Sequence, residues 1–189
     1  FLISPFSINM ALSIAKEGSN TSTLVEMNKL LHQENINNSS DQFGHYIAYI
    51  TNNNSLQLAN SIWLNEDLKI KKKYQSVLED SYHSELFTFN SENLMAANNK
   101  LNNWISESTN HKINKISGLD ENVKMSIINA IYFSGEWATP FDKKWTKEKK
   151  FFTITKNNVP KDFMNKKMTL NYYEDSILKG VVLPYTDQF

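Results

Sequence analysis

Hydrophobic and polar positions follow first a helical, then an alternating and then a broken rhythm along the chain. An apolar opening, Phe1, Leu2 and Ile3, ends at Ser4-Pro5, where a serine can cap a helix and a proline suits its first position. Phe6, Ile8, Met10, Ala11, Leu12, Ile14 and Ala15 cover most of the helix that follows, which predicts burial nearly all round, with Gly18 as its stop. Asn20, Thr21 and Thr23 are alternative caps for a second helix. Its Leu24, Met27, Leu30 and Leu31 keep a helical period, Thr23 and Glu26 fit a capping box, and its end falls near His32. Residues 33–40 read as a loop, Asp41 as the cap of a short helix with Phe43, Tyr46, Ile47 and Ile50, and Asn52 to Asn54 as its stop.

Leu56, Leu58, Ile62 and Leu64 then recur at even spacing around Asn60, with Ala59 and Trp63 on the other face, as in a strand packed on both sides. Tyr74, Val77, Leu78 and Tyr82 mark a helix, Leu86, Phe87 and Phe89 a short strand, and Ser91 the cap of a longer helix with Leu94, Ala97, Leu101, Trp104 and Ile105 on one stripe. Residues 125–133, MSIINAIYF, are apolar except for Ser126 and Asn129, which favours a central strand with a buried, hydrogen-bonded Asn129. Beyond Gly135, the groups Phe151 to Ile154, Met168 to Tyr173 and Ile177 to Tyr185 predict short strands between polar turns. The first part therefore reads as α+β and the last as all-β. No repeat or linker divides the chain, so residues 1–189 read as one domain, and its apolar start and abrupt TDQF end read as cut.

Composition narrows the chemistry. With 40% hydrophobic residues in 189, the chain can bury a sizeable core. Twenty basic residues balance twenty acidic ones, so no global field attracts nucleic acid or an anionic membrane. No apolar run is long enough to span a bilayer, and the opening is too short for a signal peptide. The absence of cysteine excludes disulfides, thiolate catalysis and cysteine zinc sites, while leaving the compartment open. Every basic residue is a lysine, so no guanidinium fork is available for bidentate recognition of carboxylate or phosphate.

A hydrolase would need a nucleophile elbow or a supported serine, histidine and acid, and there is no G-x-S-x-G. His32, His45, His83 and His111 read as surface or capping residues, and no metal-ligand spacing occurs, so neither metal nor cofactor is expected. Lys71 to Lys73 and the segment 143–150 read as solvated faces, because Glu66, Asp67, Asp142 and Glu148 interrupt their field. Acceptor sequons at Asn20, Asn37, Asn38 and Asn53 arise readily in an asparagine-rich chain, and Asn20 is better read as a helix start. Taken alone, Ser4 and Ser7 are a helix cap and a polar helix position, Asn129 a satisfied core amide, and Trp137 a core or turn aromatic.

Several blocks taken together resemble the serpin family. They are SPFSINMALSIAKEG at 4–18 with NT at 20–21, ANSIWLNEDLKIKKKY at 59–74, LNNWISESTNHKI at 101–113 and NAIYFSGEWATPF at 129–141. The order and spacing agree over almost the whole chain, which corresponds to a stretch from the family's second helix to the middle of its second sheet. The resemblance implies an α+β, serpin-like multi-sheet fold with a helical crown, incomplete in this chain, whose reactive loop and C-terminal portions lie beyond Phe189. It implies that Ser4, Ser7 and Asn129 belong to the shutter, the polar cluster beneath the point where the central strands part. Trp137, Pro140 and Phe141 then belong to the breach, where loop insertion begins. His111, where the family usually has glycine, and VPKDFM at 159–164 depart from the pattern.

By the same resemblance the intact form inhibits a serine or cysteine endopeptidase by suicide-substrate trapping, with the cut loop inserting into the large sheet. It performs no catalysis of its own. A non-inhibitory serpin acting as carrier or chaperone is the alternative, and a hydrolytic enzyme a third reading that no motif supports. The expected partner is the target protease, with no nucleic acid and no membrane insertion. Glycosaminoglycan binding is known in the family but is disfavoured by the interrupted lysine runs. An extracellular location is favoured by the resemblance, with a cytoplasmic one left open. A chain that truly ended here would bare the strand at 125–133, which predicts aggregation or strand exchange.

Overall fold

The computed structural model describes residues 3–52, 55–155 and 157–186; Phe1, Leu2, the Asn53-Asn54 pair with its sequon, and the terminal 187–189 lie outside them. Residues 1–133 and 134–189 form two compact units. The first contains helices α1 (Pro5–Glu17), α2 (Thr21–Leu30), α3 (Ser39–Ile50), α4 (Lys72–Asp80) and α5 (Leu94–Ser108), and strands β1 (Leu56–Asn65), β2 (Ser84–Phe89) and β3 (Met125–Phe133). The second contains β4 (Lys147–Phe152) paired antiparallel with β5 (Asn158–Phe163), and β6 (Tyr172–Glu174) paired antiparallel with β7 (Lys179–Val181).

Helix α1 starts as the sequence predicts: Ser4 Oγ accepts a hydrogen bond from Ser7 N at 3.2 Å, and Pro5 fills the first turn, where a missing N–H costs nothing. Gly18 stops the helix in ordinary right-handed geometry, φ −87°, so its need for glycine is steric. A Cβ there would meet the Tyr74 ring at 3.1 Å, and the Tyr74 hydroxyl donates to the carbonyl of Ile14, in the last turn, at 3.0 Å. The prediction that α1 is buried nearly all round is corrected: Met10, Ser13, Ile14 and Lys16 are buried, while Ile8 is 53% exposed. Lys16 is an unpredicted core cation. Its Nζ donates to Gln33 Oε1 at 2.8 Å and Ser39 Oγ at 2.6 Å and pairs with Glu17 at 3.3 Å, tying α1 to the loop after α2.

The same Glu17 carboxylate accepts from the Tyr82 hydroxyl at 3.3 Å. Burial and this nearby negative charge push the Tyr74 hydroxyl up to about 12, and the same causes raise Tyr82. Both groups hold their proton more tightly folded than unfolded. The stability they confer is therefore complete below their ordinary value of 10.0 and is lost as pH rises through the folded value. Denaturant titrations between pH 10 and 12 should show a falling unfolding free energy, and Tyr74→Phe, which has no proton to lose, should decline less steeply.

Other boundaries differ from expectation for local reasons. Asn20 caps α2, its Oδ1 accepting from Thr21 N at 2.8 Å, so the Thr23 capping box is not used. Helix α3 begins at Ser39 after Asn38 in the left-handed region, and Asp41 lies within its first turn. Asn93 caps α5 in place of Ser91, which sits in a single 3-10 turn. Tyr82 lies past the end of α4, and Met168 and Leu170 fall outside any strand. His32, His83 and His111 all have φ near +50° to +60°. At His111 this is the left-handed geometry that favours glycine, which explains why the departure is tolerated only with support: its N donates to Ser106 O at 2.7 Å and its ring bonds the Ser106 hydroxyl at 3.0 Å.

The sheet of the first unit has the order β2-β1-β3, with β1 parallel to β2 and antiparallel to β3. Helix α4 supplies the crossover that a parallel pair requires. Side chains alternate between two cores. Trp63, Phe89 and Ala130 pack with Leu101, Trp104 and Ile105 of α5; Ile62 and Leu64 pack with Met10 and Ile14 of α1, Ile47 of α3 and Leu78 of α4. The strand β3, expected to be central, pairs with β1 alone among the described residues and is only partly buried. An edge of such composition is a template for another strand.

Between α5 and β3 the chain is held by amides of the helix. Asn98 Oδ1 accepts from Leu119 N at 2.7 Å while its Nδ2 donates to Leu119 O at 2.9 Å, and Asn102 Oδ1 accepts from Ile116 N at 3.0 Å. A Cβ on Gly118 would fall 1.9 Å from Asn98 Oδ1, so glycine permits the close approach. In the second unit no described residue is buried, and Phe152, Ile154 and Ile177 stand largely in solvent.

Candidate functional site

The predicted polar cluster lies where α1 crosses the sheet. Asn60 on β1 is directly opposite Asn129 on β3 and Ser84 on β2, and all three belong to the face that α1 covers. Asn129 Nδ2 donates to Asn60 Oδ1 at 2.7 Å and lies 3.5 Å from Met10 Sδ; Asn60 Nδ2 donates onward to Tyr82 O at 2.8 Å. One chain of amides thus ties the edge strand through the middle strand to the segment before β2. Asn60 was visible in the sequence as the lone amide in an apolar alternation, but nothing local identified Asn129 as its partner.

Of the predicted residues, Ser4 is engaged as the α1 cap, and Asn129 bonds Asn60 and approaches Met10; neither serine bonds it. Ser7 Oγ, Ser84 Oγ and Asn129 Oδ1 are buried and have no hydrogen-bond partner among the described residues. The expectation of a fully satisfied Asn129 is corrected to a half-satisfied one. An unpaired buried polar atom costs about 1–3 kcal/mol, and two of these three, on Ser84 and Asn129, flank Asn60 on adjacent strands, while the third lies on α1.

Trp137, Pro140 and Phe141 lie in the second unit. Trp137 stacks on Tyr185 at 4.5 Å between ring centroids and 12° between planes, and Phe141 meets it edge-on at 6.2 Å. Two backbone bonds, Ala138 N to Pro184 O at 2.9 Å and Thr186 N to Glu136 O at 2.8 Å, hold the stack. Thr139, Met168, Leu170 and Leu183 close a small hollow of about 110 Å³ beside it. Pro140 is not part of the stack; its carbonyl accepts from Lys166 Nζ at 2.7 Å. Tyr185, the other half of the stack, sits 48 residues from Trp137 and carried no local signal.

Among the described residues, no group of three histidine or acidic side chains could hold a metal, and no helix is long and apolar enough to cross a membrane. The family model described as serpin (serine protease inhibitor) matches residues 1–189. Iripin-2 of Ixodes ricinus is 29% identical over 96% of this chain and 49% of its own length. Thyroxine-binding globulin of Mus musculus is 29% identical over 95% of this chain and 45% of its own. A serpin of Arabidopsis in its native stressed conformation superposes with a TM-score of 0.88 at 26% identity, covering 98% of this chain and 50% of that one. The chain spans about half the length of the relatives it matches. The family model covers all 189 residues and these likenesses 95–98% of the chain, so the chain belongs to the serpin family.

Proposed function

We propose that the intact protein inhibits a serine or cysteine endopeptidase by trapping it as an acyl-enzyme while the cleaved loop inserts into the sheet that contains β1 and β3. The observation that carries this reading is the presence of unpaired buried atoms, Ser7 Oγ on α1 and Asn129 Oδ1 on β3, where β3 has its outer edge open among the described residues. A sheet that must part and admit a strand needs such a polar point, whose members exchange partners between two states. Ser4, Ser7 and Asn129 then form the shutter with Asn60 as a further member. Trp137, Pro140 and Phe141 form the breach.

The likeness to thyroxine-binding globulin supports a second reading, a non-inhibitory carrier or chaperone. One experiment separates the two. Full-length protein is incubated with panels of serine and cysteine endopeptidases, and products are resolved under denaturing conditions. A covalent complex with the combined mass of enzyme and inhibitor, formed with loss of enzyme activity, supports inhibition. Cleavage or inertness towards both panels, without complex, overturns it in favour of the carrier.

A further inference from the structure

Residues 140–167 contain nine lysines against three carboxylates in a chain whose total charge is zero. In the sequence, Asp142 and Glu148 break this run; the tertiary arrangement turns Glu148 away from it and occupies Asp142, which stays beside the lysines, with Lys144. The β4–β5 register sets Lys149 opposite Lys161 and Glu148 opposite Asp162. Directly opposed residues share a face, so the hairpin gathers Lys147, Lys149 and Lys161 on one side and its two carboxylates on the other. Like charges facing each other destabilise a hairpin unless something of opposite charge lies between them. Asp142, in contrast, is engaged by Lys144 at 2.7 Å and by the Lys144 backbone N–H at 3.0 Å.

Lys147 and Lys149 line a hollow of about 750 Å³ together with Lys166, Lys167, the half-exposed indole of Trp145 and one carboxylate, that of Asp142, which Lys144 neutralises. Asn165 stiffens its wall, donating through Nδ2 to Trp145 O at 3.0 Å and Phe163 O at 2.8 Å. Among the described residues no carboxylate pairs with any of the four lining lysines. Lys149 has only a long bond to Asn165 Oδ1 at 3.4 Å, and Lys166 a backbone carbonyl. We propose that this hollow binds a compact, multiply charged oxyanion of the oligophosphate class. Lysine ammoniums act as point charges without the planar fit of a guanidinium, so affinity comes from the number of charges that converge. Four ammoniums around a space of small-ligand size match several charged oxygens on one short molecule. The Glu148–Asp162 face bounds the field and disfavours a long polyanion wrapped around the hairpin.

The site rests on the second unit alone and is independent of protease inhibition. Calorimetric titration of the full-length protein with sodium tripolyphosphate at about 0.15 M salt should show saturable one-to-one binding. The Lys147→Ala/Lys149→Ala variant, whose replaced side chains are exposed and whose folding should be unaffected, should bind about tenfold more weakly. Lys71→Ala/Lys72→Ala/Lys73→Ala removes more charge elsewhere and should leave binding unchanged. Absence of saturable binding, equal losses in the two variants, or equally tight binding of inorganic sulfate would each overturn the proposal.

Discussion

Trp63→Ala should lower the unfolding free energy by about 3–5 kcal/mol, the largest effect expected of any single substitution in the first unit. The indole has no exposed surface, stacks on Phe87 of β2 at 4.4 Å, and donates through Nε1 to Ser61 Oγ at 2.9 Å. Its removal opens a cavity directly beneath Leu101, Trp104 and Ile105, the stripe by which α5 rests on the sheet. Neighbouring backbone cannot collapse into that space, because β1 is held by strands on both sides. Trp63→Phe keeps most of the apolar volume and should cost less than half as much. Chemical denaturation of the two variants checks the ranking; equal losses would mean that the Ser61 hydrogen bond, and not packing, carries the effect.

Asn129→Ala should cost about 1–3 kcal/mol through a different mechanism. The substitution leaves Asn60 Oδ1 buried without its 2.7 Å donor and cuts the only side-chain hydrogen bond between β3 and β1 on the α1 face among the described residues. Since Asn129 already holds one unpaired oxygen, the variant also removes an orphan, which keeps the loss below that of a fully satisfied amide. On the proposed mechanism the lost tie eases separation of β3 from its neighbours. The variant of the intact protein should therefore lose monomer faster on mild heating than its stability alone predicts. An unchanged melting temperature together with an unchanged polymerisation rate would remove Asn129 from the shutter.

The two substitutions illustrate why some of the site was legible and some was not. Trp63 could be placed on the face opposite Leu58 and Ile62 because strand periodicity is a local property. The chain from Ser4-Pro5 to Gly18 was equally legible, since capping and turn chemistry act within a few residues. One misread boundary has a clear cause: Asn93 and Ser91, two residues apart, compete as caps with similar chemistry, and Asn93 is the one that caps α5. The sidedness of the lysine run was not legible for a different reason. Charges adjacent in sequence point to opposite faces of a strand, so Glu148 interrupts the run only on paper.

What the sequence determined by itself was the set of elements, the apolar faces they present, and enough blocks in the right order to indicate the family. Tertiary structure decided which polar groups meet. The Asn129–Asn60 tie spans 69 residues and the Trp137–Tyr185 stack 48, and each depends on a strand register that no local preference encodes. Burial also turned Lys16 from an ordinary helix residue into a core cation, because Gln33, Ser39 and Glu17 converge on it. The physical reason is range. Backbone propensity and side-chain periodicity act over a turn or a strand, whereas hydrogen bonds and desolvation depend on whatever the completed fold brings within a few ångströms.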